Sequence, residues 1–401
     1  MSKNNKIGLT ILSVVVVILI AGGLRSPMTA VSPVLSEIIN ELKLSTLEGS
    51  LLTSIPLIVF ATCSVLISRI GVRFNINHTL IYSLLFLIAG LYIRVMSGTT
   101  LLFLGSLFIG LGICIGNVMT PAYIKKIFPN KVGVMTGVFS VAMNLIAAIA
   151  AGLSISIGNW TNTGWRGSLG IWIIWGVLAL VAISFETVLN NKNTISKQNK
   201  IKTDAPKSSF NVFRSKQAWN ISIFMGIQSL VYYCLVALLP TVLVSYGLPQ
   251  VETGIVFSVI QLAMLPVMFI SPIIASKMKD QSIMIYIVGI LMFLGVGMLV
   301  VLKAQFVYLS AIIIGTAIGL AFTLSILFFS IKSKTMDGTI KISGKAQSVG
   351  YLIAACGPPI FGMLHDWDSS WKSSFYFLLL MILIMTFFGL RAAKPRFIED
   401  K

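Results

Sequence analysis

The feature that most constrains this chain is its succession of twelve long apolar runs, near 7–38, 46–70, 78–97, 100–128, 131–158, 166–189, 217–246, 250–276, 282–302, 305–331, 343–364 and 372–391, separated by short polar or Pro/Gly-rich joints. About 20 helical residues cross about 30 Å of hydrocarbon, and the runs have that length. Only 10% of the residues are charged, against about 25% in soluble domains. The fold class expected is therefore all-α and integral to the membrane, with twelve transmembrane helices in two six-helix pseudo-symmetric bundles. The longest polar stretch, 190–216, is rich in Lys, Asn and Ser and buries too little apolar surface to fold alone. It divides the chain into an N-terminal bundle (1–190), a linker (191–216) and a C-terminal bundle (217–401).

A net charge of +18 raises the question of a nucleic-acid partner, but no clustered basic module is present, so none is expected. The cations instead fall in every second joint: 24 of the 30 Lys and Arg belong to one set of alternate segments. The positive-inside rule then places both termini in the cytoplasm of a multi-pass protein of the cytoplasmic membrane, with lipid as its surrounding partner. The other six are Arg25, Lys43, Arg94, Arg166, Lys303 and Lys372. Lys3 and Lys6 before an apolar run resemble a signal peptide, yet the run from Ile7 to Leu24 exceeds a usual h-region and reads as the first span. Cys63, Cys114, Cys234 and Cys356 lie in apolar runs without paired spacing, which suggests helix packing and neither disulfides nor metal ligands.

Weak internal matches recur at nearly one offset. Glu48, in the capping-box string Ser45-Thr46-Leu47-Glu48, and Glu252 are 204 apart. Gly110 and Gly315 differ by 205, and the Trp165-Arg166 and Trp371-Lys372 strings by 206. A shared offset near half the chain fits two parallel six-helix repeats.

Several strings carry a more specific likeness. LRSPMTAVSPVLSEI (24–38), LGICIGNVMTPAYIKKIFP (111–129), MTGVFSVAMNLIAAIAAG (135–152), GWRGSL (164–169), QSLVYY (228–233) and KISGKAQSVGYLIAACGPPIFGMLHD (341–366) resemble the cyanate and nitroimidazole transporter family, a bacterial branch of the major facilitator superfamily. The resemblance implies a transporter whose substrates, across the family, range from a small inorganic anion to a neutral nitroaromatic. One departure is the joint Ser68-Arg69-Ile70-Gly71-Val72-Arg73, a degenerate form of the superfamily's gating motif that has no aspartate. That motif's role is not carried over.

Among residues that could bind a solute, Arg25 leads, because long uncharged stretches flank it. An arginine at such depth costs about 2.5–3.5 kcal/mol on insertion scales and should face a wet cavity or a partner. Its planar fork suits an oxyanion or nitro group; the alternative is that it snorkels to the interface. Asn117, Asn144, Gln228, Tyr232, Gln261 and Gln347 are polar residues inside apolar runs. They either line a central polar cavity with Arg25 or make interhelical hydrogen bonds worth about 0.6 kcal/mol each.

All twelve carboxylates read as loop or span-end residues, giving an acid-free interior that disfavours a carrier of cations. Trp160, Trp165, Trp367 and Trp371 read as interface anchors. Prolines 56, 121, 240, 266, 358 and 359 offer kinks or hinges. His78 and His365 are solitary, so no metal is expected, and there is neither a phosphate-cradling Gly-Lys-Ser/Thr loop nor a catalytic triad. The reading is a monomeric secondary carrier, not an enzyme, with no cofactor, that moves a small anionic or polar neutral solute by alternating access. Its rivals are a multidrug efflux carrier of the same fold and a non-transporting membrane sensor.

Overall fold

The computed structural model describes residues 3–195, 210–368 and 370–400; most of the polar linker, 196–209, with its cations and Asp204, lies outside them. Fifteen α-helices are described: α1 Lys3–Gly23, α2 Ser26–Thr29, α3 Leu35–Leu42, α4 Thr46–Gly71, α5 Ile76–Val95, α6 Thr99–Ile127, α7 Val132–Trp160, α8 Trp165–Gly170, α9 Trp172–Ile195, α10 Lys216–Ser245, α11 Gln250–Lys277, α12 Ser282–Val301, α13 Val307–Ile331, α14 Met336–Trp367 and α15 Lys372–Ala393. They supply twelve segments long and apolar enough to cross a membrane, the first combining α1 to α3 and the sixth α8 with α9. The largest boundary difference from the sequence reading is at α14, which starts at Met336, two turns before 343, because Thr335 caps it by accepting from Gly338 N.

Two compact units are present, Met1–Asn130 with Val138–Ser209, and Lys131–Gly137 with Phe210–Lys401. In the first, α6 packs between α4 and α5, and α9 closes on α1 and α5. In the second, α13 packs between α11 and α12, and α15 closes on α10 and α12. The same neighbours recur in the same order, and the matched glycines mark the equivalent crossings. Gly110 brings α6 onto Pro56 and Val59 of α4, where a Cβ would lie 3.1 Å from Pro56 Cα, while Gly315 brings α13 onto Ile260 and Ala263 of α11. Side chains there would force the helices apart.

The repeat is imperfect at its caps. Ser45 and Glu48 form the expected capping box on α4, whereas Glu252 sits in the first turn of α11 behind Pro249, which offers no side-chain cap. Prolines 56, 121, 240, 266, 358 and 359, joined by Pro272, stand inside continuous helices. Cys114 and Cys234 are buried, Cys63 is half-buried and Cys356 exposed, and all four are free thiols.

Trp160 and Trp367 are exposed, as anchors should be, but Trp165 and Trp371 are buried. The anchor expectation is corrected for these two. Each stands at a corner that opens a last span, and each is sequestered by a neighbour: Trp165 Nε1 donates to Glu41 at 2.7 Å, and Trp371 stacks on His365 with ring centroids 3.5 Å apart. At the far end of the second unit the C-terminal segment folds back onto the joint between α13 and α14. Ile398 N donates to Lys332 O, and Glu399 accepts from Ser333, from the Lys334 N–H and from Thr335. Lys332 is buried there, its Nζ donating to the Ala393 and Lys394 carbonyls, and burial pushes its amine down to about 8.

Candidate functional site

The first span is broken twice, and its prolines place the breaks. A proline ring clashes with the carbonyl four residues earlier. Counting back from Pro27 reaches Gly23, where α1 ends, and counting back from Pro33 reaches Thr29, where α2 ends. Arg25 therefore sits in non-helical backbone (φ −131°, ψ −34°) at the N-terminus of α2 and is half-buried. Its Nη1 donates to Asn144 Oδ1 of α7 at 2.8 Å. Asn144 is itself oriented, since its Nδ2 donates to Ser140 O one turn back while its amide oxygen faces the guanidinium.

Two further bonds join the broken segment to α7: Thr29 Oγ1 donates to Ala147 O at 3.0 Å and Ser154 Oγ to Ala30 O at 2.8 Å. Arg94, at the end of α5, supports the break from the other side, its Nη1 donating to Pro27 O at 2.8 Å. The sequence groups Arg94 with the six cations outside the alternate set and singles out Arg25 alone as deep in an apolar run. That is corrected, for Arg94 is 3% exposed, and its Nε and Nη2 have no partner among the described residues. Gly105 is the physical reason: without a Cβ it lets α6 close directly over the Arg94 backbone.

The remaining candidates divide by unit. Asn117 lies half-buried on α6 beside Gly116, which packs on Leu24 just before Arg25, so it shares the neighbourhood of the break. In the second unit Gln228 and Tyr232 lie on α10 and Gln347 on α14, two helices in close contact. Gln228 is buried and its Nε2 donates to Ser229 Oγ. Gln347 is buried and donates to Ser343 Oγ within its own helix, and its Oε1 has no partner among the described residues. Tyr232 is half-buried with its ring edge-on to Tyr233. Gln261 is half-buried on α11, and the structure gives it no bond to the other candidates.

The expectation of an acid-free interior is also corrected. Glu186 is 0% exposed, because α9 runs on to Ile195 and keeps this residue well inside the helix, facing α1 and α6. Ser13 Oγ donates to its Oε1 at 2.5 Å and Tyr123 OH to its Oε2 at 2.7 Å. Beside it, Asn77 Nδ2 donates to Thr187 Oγ1 and Lys126 Nζ to Asn77 Oδ1. The only sequence signal for this cluster was a carboxylate ending nineteen uncharged residues in a run that stays helical past it. No group of three or more His, Cys, Asp or Glu that could hold a metal occurs among the described residues.

Twelve membrane-length helices in two similarly packed units, with polar groups held at broken or tightly packed helices, define a multi-pass membrane protein of transporter architecture. The chain belongs to the Major Facilitator Superfamily, whose family model matches residues 14–340. It is 33% identical to the uncharacterized transporter YycB of Bacillus subtilis (strain 168), covering 95% of this chain and 93% of the relative. It is 31% identical to the 2-nitroimidazole transporter of Escherichia coli (strain K12), with 95% of each covered, and 23% identical to that organism's cyanate transport protein CynX, with 95% of this chain and 97% of CynX covered. Among solved structures, the proton:xylose symporter XylE superposes with a TM-score of 0.76 at 13% identity, covering 98% of both chains. That likeness bears on the fold alone.

Proposed function

We propose that this protein is a secondary carrier that moves a small anionic or polar neutral solute, of cyanate-, carboxylate- or nitroimidazole-like chemistry, across a bacterial cytoplasmic membrane by alternating access. Both termini then lie in the cytoplasm. The observation that carries this reading is Arg25: a half-buried guanidinium, at a double break in the first span, that donates to the neutral amide of Asn144. An amide such as Asn144 carries no charge and does not neutralise the guanidinium as a carboxylate would. The planar fork matches the paired oxygens of a carboxylate or nitro group, and the terminal atom of a linear anion takes one of its N–H groups. The names of the 2-nitroimidazole and cyanate relatives support this substrate range. Asn117, Asn144, Gln228, Tyr232, Gln261 and Gln347 are proposed to contribute neutral donors and acceptors, which suit a polar solute of either charge state.

The test is flux into proteoliposomes of cyanate, a small carboxylate and 2-nitroimidazole. Arg25→Ala should cut transport at least about 100-fold, the value of a charge-assisted pair of about 3 kcal/mol. Arg25→Lys, which keeps the charge and loses the fork, should fall between. Wild-type rates for both variants on every transported solute would remove Arg25 from the site.

A further inference from the structure

We propose that Arg94 is a positioning residue for the solute site: its bond to Pro27 O fixes the short helix α2 and so sets where Arg25 stands. This rests on the carrier reading above, in which Arg25 is the anchor.

Helix α2 has four residues, and so short a helix cannot satisfy its own last carbonyl groups. The N–H that regular helix geometry would bring to Pro27 O belongs to Val31, but Val31 N donates to Met28 O at 3.4 Å. Inside a membrane protein a carbonyl passed over in this way has to be met from within the protein. Arg94 meets it, Nη1 to Pro27 O at 2.8 Å, from the last turn of α5. The bond reaches Arg25 through the backbone, because Arg25 O accepts from both Met28 N and Thr29 N at 3.1 Å. A shift of α2 therefore carries the Arg25 guanidinium with it, relative to Asn144 of α7.

Two structural roles would explain a basic residue at this place, and the geometry fits neither. A side chain serving the C-terminal end of α5 would donate to that helix's last carbonyls; Arg94 reaches across to the first span. A side chain serving stability would use its donors. Arg94 is 3% exposed, yet its Nε and Nη2 have no partner among the described residues, and it is in neither ion pair found among them, Arg166–Glu41 or Lys334–Asp400. Burying a guanidinium for one carbonyl acceptor costs more than that bond returns. A neutral side chain of similar length would pack there at less cost, so what the arginine supplies is the place of α2 and not the stability of the fold.

The test compares Arg94→Met, which keeps length and removes charge and donors, with Arg94→Lys, which keeps an ammonium to donate to Pro27 O. Hydrogen–deuterium exchange of the full-length protein in detergent, read on peptides covering 24–31, reports on α2 without any solute. Exchange there should quicken about 10-fold in Arg94→Met, the size of one charge-assisted bond, and return toward wild type in Arg94→Lys. The midpoint of thermal unfolding should hold in both. In proteoliposomes the KM for a transported solute should rise about 10-fold in Arg94→Met with the maximal rate little changed, and Arg94→Lys should recover it. Unchanged exchange in Arg94→Met, or no recovery in Arg94→Lys, would overturn the proposal. So would a fall in the unfolding midpoint with KM untouched, the result a purely structural arginine predicts. A cycle with Arg25→Lys asks whether Arg94 touches the solute itself: acting through Arg25, Arg94→Met should add little to KM in that background. Full additivity would replace positioning by direct contact and overturn the proposal. Absence of flux for cyanate, a small carboxylate and 2-nitroimidazole would count against the carrier, and the exchange arm would still decide whether Arg94 holds α2.

Discussion

The fifth span meets the first in the N-terminal half as the eleventh meets the seventh in the C-terminal half, yet the two pairs are joined by opposite means. Helices α10 and α14 approach backbone to backbone. A Cβ on Gly226 would lie 3.0 Å from Gly350 Cα, and one on Gly357 would lie 2.6 Å from Leu230 Cγ. Helices α1 and α7 make few close backbone approaches, and the first span is joined to α7 beyond α1, through polar groups at α2 and its caps, Arg25 to Asn144, Thr29 to Ala147 O and Ser154 to Ala30 O. A glycine-packed junction has no exchangeable part, since its energy is dispersion between fixed surfaces. A polar junction can trade one acceptor for another at little net cost, because each bond lost is replaced. That contrast is why the solute's anchor is assigned to the first span.

The largest effect should come from attacking the packed pair. Gly226→Leu puts a branched side chain where only a hydrogen fits, forcing α10 off Gly350 and Ile353. Overpacking of this kind costs about 3 kcal/mol or more, and it should be read as a sharp fall in the midpoint of thermal unfolding in detergent. The polar junction should respond less. Asn144→Leu removes the acceptor of a charged donor, worth about 1.5–3 kcal/mol, and adding a transported anion should recover part of the loss by pairing with the guanidinium. A Gly226→Leu variant no less stable than Asn144→Leu would break the comparison outright.

How much of this was legible in the sequence depends on which physical signal each feature leaves. Span number, the capping box at Ser45 and Glu48, and the matched Gly110 and Gly315 all show through hydropathy, spacing or repetition. Arg25 shows because it interrupts an uncharged stretch, and Pro27 and Pro33 mark the breaks around it. Arg94 and Glu186 were misread because both lie within a few residues of a polar joint, where distance along the chain says nothing about which way a side chain faces. Their burial is set by neighbours remote in sequence, Gly105 and Pro27 for Arg94, Ser13 and Tyr123 for Glu186. Trp165 and Trp371 failed for the same reason: an aromatic at a span end anchors in the interface only if no acidic or aromatic neighbour covers it.

A finer probe of the polar junction is Ser154. Its hydroxyl has two acceptors, Ala30 O across the junction at 2.8 Å and Ala150 O in its own helix at 2.9 Å. Removing it leaves Ala30 O without this donor and spares α7, so Ser154→Ala should cost about 0.6 kcal/mol, the average for such bonds between membrane helices. A loss near that of Asn144→Leu would mean that the junction depends on all its bonds together, and that the Arg25 contact is not the dominant one.

The smallest effect is expected at Gln347, and it separates packing from polarity within the glycine-packed pair. This side chain is buried on α14, but its amide donates to Ser343 in the same helix, and its carbonyl oxygen has no partner among the described residues. It therefore contributes no bond between α14 and α10, and burying the unpaired oxygen already carries a cost. Gln347→Met keeps the length and apolar stem, removes that oxygen and loses one short-range bond. The two terms nearly cancel, giving a change within about 0.5 kcal/mol, with any excess toward greater stability. If thermal unfolding instead shows a loss of about 2 kcal/mol, the amide holds α14 to a neighbour, and the C-terminal pair is polar in the way the N-terminal pair is. If stability holds but solute flux falls, the unpaired oxygen is kept for the solute, which is the role proposed for it above.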